Sequence, residues 1–364
     1  MFRAAWLFAL VPELANAQIA SPVRIPDDPT CGTCRITVTT VTTLGDTDGP
    51  GALAGVPIGV RVDGRRRFWL LGGAITPGGP PVYDPDGRFL RVAGRRGKGP
   101  GEFETVTDVV PLPGDSVLVI DSDRRATIFA PDLSAARHLT LGATIYYAVV
   151  INWPRSVIGF NHYGPGNRGG PVLHDMAFDS SPPSVTKSFG PDWKIPDFKA
   201  MAAASRILAP SATGFWTVGQ EHYRVEHWTR DGVSDAMLER IPAWPPRTSE
   251  GLGLPDQAPP NGVQGIAEDR NGRVWVFTRV AAPTWREGWP KGTGDMRISA
   301  FSQEKMFRTV VEVLDPKAGR VIARRQLDEW IIAALPEGRA VVYAVDADDI
   351  PRLRVVRLAV DGVP

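Results

Sequence analysis

The segment Gly49-Pro50-Gly51-Ala52-Leu53 returns fifty positions later as Gly99-Pro100-Gly101-Glu102-Phe103. A second landmark keeps the same offset. Gly64, inside Val60-Arg61-Val62-Asp63-Gly64-Arg65, is matched by Gly114 inside Val109-Val110-Pro111-Leu112-Pro113-Gly114-Asp115. Two separate landmarks sharing one offset mark an internal repeat, which confines the chain to folds built by stacking one supersecondary unit. The 38 Gly and 34 Pro spread over 364 residues favour many short strands joined by turns over long helices.

The second landmark reads as a β-hairpin: an apolar strand, a turn with Gly, then a strand rich in aromatic and β-branched residues. It returns in Ile207 to Val218 around Gly214, in Ile266 to Val276 around Gly272, and in Ala333 to Val345 around Gly338. The weakest copy runs from Val149-Val150-Ile151 through a turn at Asn152 to Arg155 into Val157-Ile158-Gly159, completing six hairpins. A second hairpin follows, with Pro and Asp-Gly turn chemistry in Val82-Tyr83-Asp84-Pro85-Asp86-Gly87-Arg88-Phe89-Leu90. Related forms recur in Ile128 to Leu133, Val225 to Gly232 and Val311 to Val321. Two hairpins make a four-stranded antiparallel sheet too small to bury both faces alone. Such sheets must pack around an axis, so the expected fold is all-β, a six-bladed β-propeller.

The last repeat offers strands near Ala333, Val341 and Leu353 to Leu358, then stops at Asp361-Gly362 where its final turn belongs. The β-prone segment Arg35-Ile36-Thr37-Val38-Thr39-Thr40-Val41-Thr42 is left over before the first repeat. An N-terminal strand completing the last blade closes the ring and removes free sheet edges. The expected layout is a single domain over 35–364, with blades near 57–98, 105–143, 146–190, 203–241, 262–328 and 329–361 plus 35–45.

With these repeats, and with Gly97-Lys98-Gly99-Pro100-Gly101-Glu102-Phe103 as a G-x-G-P-G-E-F element, the chain resembles the six-bladed propellers of the NHL/TolB-like group. In particular it resembles exported bacterial proteins carrying that element. The resemblance spans roughly residues 35 to 360 and implies a fold more than a function.

Lys+Arg 41 against Asp+Glu 40 leaves no global field to recruit nucleic acid, and no apolar run is long enough to span a bilayer. Met1 to Val11, with Arg3 and an apolar stretch from Ala4, followed by Ala15-Asn16-Ala17, matches an export signal over residues 1–17. A buried helix or a different start are the alternatives. The protein is thus expected in the periplasm or secreted, acting as a monomer. Residues 18–34 form an N-terminal extension holding the only cysteines, Cys31 and Cys34. Arg35 stands where a c-type haem motif needs His, and no second CxxC supplies zinc ligands. In an exported chain a local disulfide is the plainest reading.

In such a propeller, one face carries the connections between blades and the loops between second and third strands, and ligands usually bind there. Ala281 to Lys305 is the longest such segment, with Trp285, Arg286, Trp289 and Lys291; it reads equally as a binding loop or a packed surface decoration. The equivalent segment of blade three offers His162, Tyr163, Asn167 and Arg168. Asp121, Asp123, Asp346 and Asp348 occupy matching loops of blades two and six, where converging carboxylates would suit Ca²⁺ but also read as solvated turns. No other cofactor is indicated. Arg95, Arg96 and Lys98 lie among glycines without P-loop order, so a salt-bridged turn competes with an anion-binding loop. Neither G-x-S-x-G nor H-E-x-x-H occurs, and His222 and His227, five apart across a predicted strand, fall on opposite faces.

The leading expectation is a non-catalytic binding or scaffold propeller recognising a protein, peptide or glycan. The rival is a metal-dependent hydrolase or lactonase, which would need several of Asp108, Asp121, Asp346, Glu268 and His162 converging on the axis.

Overall fold

A computed structural model describes residues 20–72, 79–161, 169–245, 257–290 and 302–363. The expected export signal, residues 1–17, lies outside the described residues. Six antiparallel sheets supply the blades. From inner to outer edge, blade one runs Gly59–Val62, Phe68–Leu71, Pro81–Tyr83 and Phe89–Val92. Blade two runs Val106–Pro111, Val117–Asp121, Arg125–Phe129 and Ala135–Thr140. Blade three comprises Tyr147–Asn152, Ser156–Phe160, Gly170–Ala177 and Ser184–Trp193; blade four, Arg206–Pro210, Gly214–Gly219, Arg224–Thr229 and Ser234–Glu239. Blade five comprises Gly262–Glu268, Val274–Ala281, Phe307–Asp315 and Arg320–Leu327. The sixth sheet holds Trp330–Leu335, Arg339–Val345 and Pro351–Asp361, and its outermost strand is Arg35–Leu44. Each innermost strand contacts those of the two neighbouring blades, so the ring is closed.

The inner strands are nearly continuous apolar runs because a blade is covered on both faces. In Val274–Ala281, Trp275 and Phe277 pack toward blade six while Val274 and Val276 pack toward blade four. Alternation of side chains along a strand thus feeds two cores at once. Each junction between blades has its own buried cluster, and the junction of blades six and one joins Leu44, Leu353 and Val341 to Val60 and Phe68.

Closure follows the expected route. Arg35–Leu44 pairs antiparallel with Pro351–Asp361, from Arg35 opposite Asp361 to Leu44 opposite Leu353. Blade one then locks onto this strand: Thr42 Oγ1 donates to the Asp86 carbonyl at 2.8 Å. The turn beneath requires Gly87, since its φ is +91° and a Cβ would sit 2.3 Å from the Thr43 carbonyl oxygen.

The first hairpins are pinned by an aspartate. Asp63 Oδ1 accepts from the amides of Arg65 and Arg67, and Oδ2 from Arg67 Nε at 2.6 Å and Trp69 Nε1 at 2.8 Å. Blade five repeats this with Asp269, which accepts from the Asn271 and Arg273 amides and from Trp275 Nε1. The Gly-Pro-Gly elements form the connections into blades one and two. In the second, Glu102 accepts from the Gly99 amide at 2.8 Å and pairs with Arg95, so the basic cluster includes a salt-bridged turn.

The N-terminal extension straps three blades together. Val23–Arg24 adds a parallel fifth strand to the outer edge of blade four. Asp27 then pairs with Arg240 of blade four and Arg324 of blade five, and both arginines also hold the buried Glu312. Thr30 and Cys31 donate their amides to Val321 and Ile322 of blade five. The disulfide Cys31–Cys34 is formed and lies against Gly362 at the end of blade six.

Candidate functional site: the axial cavity

The innermost strands of all six blades surround a cavity of about 820 Å³. Its wall is mainly apolar, from residues such as Val62, Val109, Ile207 and Ile332, interrupted by polar side chains including Arg61, Asp108, Gln264 and Glu268. Thr105, Ser122, Tyr146 and Gln220 sit toward the face carrying the connections between blades, whereas Pro111, Pro210 and Pro336 mark the opposite mouth. The volume falls within the range of about 300–1,000 Å³ usual for small-molecule pockets.

The central polar feature bridges blades one and two. Arg61 Nε donates to Asp108 Oδ1 at 2.8 Å, and the guanidinium lies 5.8 Å from the Tyr147 ring centre. Asp108 also accepts from the amides of Val109 at 2.9 Å and Ala148 at 2.7 Å. Burial pushes its carboxyl above the ordinary aspartate range, opposed by the Arg61 charge and these amides. Burial likewise raises the Tyr147 phenol, which is hydrogen-bonded to Gln220. Farther round the wall, Trp330 Nε1 donates to Gln264 Oε1 at 2.7 Å and Trp216 Nε1 to Glu268 Oε2 at 2.5 Å. The arrangement can hold a polar or anionic group against Arg61 while apolar surface covers the rest of a ligand.

Asp108 and Glu268 line the cavity, but Asp121 and Asp346 do not. The Asp121 carboxylate accepts from the amides of Glu104 and Thr105 and pairs with Arg125, which also approaches Asp123. Asp346 accepts from the amides of Asp348 and Ile350 and from Arg352 Nε, which together hold its carboxyl below the usual range. Among the described residues no three His, Cys, Asp or Glu side chains gather as metal ligands would.

His162, Tyr163, Asn167 and Arg168, and Lys291, lie outside the described residues. Trp285 is buried in the cluster joining blades six and one, Trp289 packs against that cluster, and Arg286 covers the Trp285 ring at 4.3 Å. Sequence reasoning did not single out Arg61, Tyr146, Tyr147 or Gln264. A usable signal was present: Arg61 is a charge between two buried valines in an innermost strand.

No protein-family profile and no curated protein matches the chain. Solved structures do. A protein from Bacteroides fragilis NCTC 9343, proposed to be exported, superposes with a TM-score of 0.56 at 9% identity, covering 93% of this chain and 100% of that one. A protein of unknown function from Bacteroides thetaiotaomicron VPI-5482 gives a TM-score of 0.50 at 12% identity, covering 89% of this chain and 76% of that one. At such identities the likeness is one of fold. No helix among the described residues is long and apolar enough to cross a membrane.

Proposed function

We propose that this chain is an exported binding propeller of the NHL/TolB-like kind, taking a peptide or glycan segment into its axial cavity from the face that carries the connections between blades. The observation that carries this reading is the pairing of a large apolar wall with Arg61 at its centre and hydrogen-bonding side chains toward one mouth. A segment with an apolar body and one polar or anionic group matches that wall. Asp108 is committed to Arg61 and two amides, which makes it an organiser of the wall. The role proposed for the cavity is recognition. His162, Tyr163, Asn167 and Arg168 belong to the same proposal, because in sequence they follow Phe160, a cavity residue.

Peptide and glycan arrays, followed by calorimetric titration of the hits, test this. Arg61→Gln and Tyr146→Ala should each weaken binding about tenfold or more, as expected for loss of a charged or aromatic anchor. Absence of any ligand, or affinity indifferent to both substitutions, would defeat the reading. Export is tested separately: the mature protein should begin at Gln18.

A further inference from the structure

We propose that Ser211, His227 and Asp235 of blade four form a nucleophilic triad able to hydrolyse small activated esters. Ser211 Oγ lies 2.8 Å from His227 Nε2, and His227 Nδ1 lies 2.5 Å from Asp235 Oδ1. This is the order of nucleophile, base and orienting carboxylate that acyl transfer requires. Asp235 fixes the tautomer: a proton on Nδ1 donates to the carboxylate, leaving Nε2 to accept the serine proton.

The local fold explains the convergence. Ser211 opens the turn between the first two strands of blade four, directly after Pro210 at the end of the cavity wall. His227 and Asp235 stand on the third and fourth strands, with Ala236 opposite His227. Gly214 lets the turn approach: a Cβ there would lie 2.0 Å from the Trp228 carbonyl oxygen. Its amide donates to Ser211 Oγ at 2.9 Å, holding the hydroxyl over the imidazole. His227 is 6% exposed, with the Trp216 ring centre 4.7 Å away. Thr213 Oγ1 also reaches Nε2, at 3.2 Å. Ser211 itself is half-buried and is followed by exposed Ala212 and Thr213, so a carbonyl can approach Oγ. Among the described residues none accepts a hydrogen bond from the Ala212 or Thr213 amide. These two donors beside the nucleophile are free to meet a developing oxyanion.

In the reaction, Oγ bonds to the ester carbonyl carbon while its proton passes to Nε2. The carbon–alkoxy bond then breaks, and the alcohol leaves with that proton. Water attacks the acyl-serine, gives a proton to Nε2, and the acid departs as Ser211 recovers its hydrogen. The turn is flanked by exposed Ala212 and Thr213, so short acyl groups are the substrate class.

The full chain should be treated with a fluorophosphonate probe and, separately, p-nitrophenyl acetate, with the adduct located by peptide mapping. A single adduct on Ser211 is expected, together with ester turnover that Ser211→Ala abolishes. His227→Gln should slow both by about 100-fold or more. A folded wild-type protein giving no Ser211 adduct would overturn the proposal. So would reaction rates unchanged in Ser211→Ala or His227→Gln, which would leave the three residues as a tie holding the turn.

Discussion

Arg61 joins Asp108 across the junction of blades one and two, with the aspartate side chain 2% exposed and the arginine 26% exposed. The carboxylate is thus sealed while its cation remains in touch with the cavity. Arg61→Met should cost about 3 kcal/mol by leaving a buried charge without its partner. The pH dependence has a definite sign. Asp108 is raised mainly by burial, so its contribution is fully present below the ordinary aspartate pKa and is lost as pH rises through the folded value. Removing Arg61 raises that value further. The melting-temperature deficit of Arg61→Met should therefore grow from about pH 4 toward neutrality, and adding Asp108→Asn should flatten it.

Ring closure should be measurable at Leu44, which has no solvent exposure and ends the strand supplied by the N-terminal half. Leu44→Ala is expected to cost about 3 kcal/mol in urea unfolding. Deleting residues 35–44 should abolish the single cooperative transition by uncovering the edge of Pro351–Asp361.

The strap and the charge cluster beneath it differ in weight. Glu312 and Arg240 are buried at 0% and 1% side-chain exposure, whereas Asp27 is 32% exposed. Glu312→Ala should destabilise by about 3–5 kcal/mol and Asp27→Ala by about 1 kcal/mol. Equal losses in chemical denaturation would contradict this ranking.

The two hairpin aspartates give a paired comparison. Asp63 has no side-chain exposure and holds both Arg67 and Trp69, while Asp269 is half-buried and holds Trp275 with two amides. Asp63→Ala should cost about 3 kcal/mol and Asp269→Ala about half as much, read from melting curves of the two variants.

The architecture was legible because turns are local. Gly64, Gly114, Gly272 and Gly338 fall in the first-hairpin turns they predict, and Gly214 opens the strand directly after its turn. The leftover strand at Arg35 was legible for the same reason, as a β-prone segment lacking a local partner. The cavity was not, because it gathers Arg61, Tyr146 and Gln264 from different blades, and no local pattern records which residues meet on the axis. Trp285 reads from composition equally as a binding residue or as packed decoration, and its ring is buried with Phe307 and Trp330. Ser211, His227 and Asp235 required register across three strands, including the irregularity between His227 and Trp228.

The pairing of Arg35–Leu44 with Pro351–Asp361 sets an order of events during synthesis. Arg35–Leu44 is translated more than 300 residues before its partner and must wait until Pro351–Asp361 has emerged. Neighbouring blades can form as each completes, but the sixth cannot be finished by any truncated chain. The join between beginning and end therefore works as a proofreading step on length: only a polypeptide made through Asp361 can complete the circle.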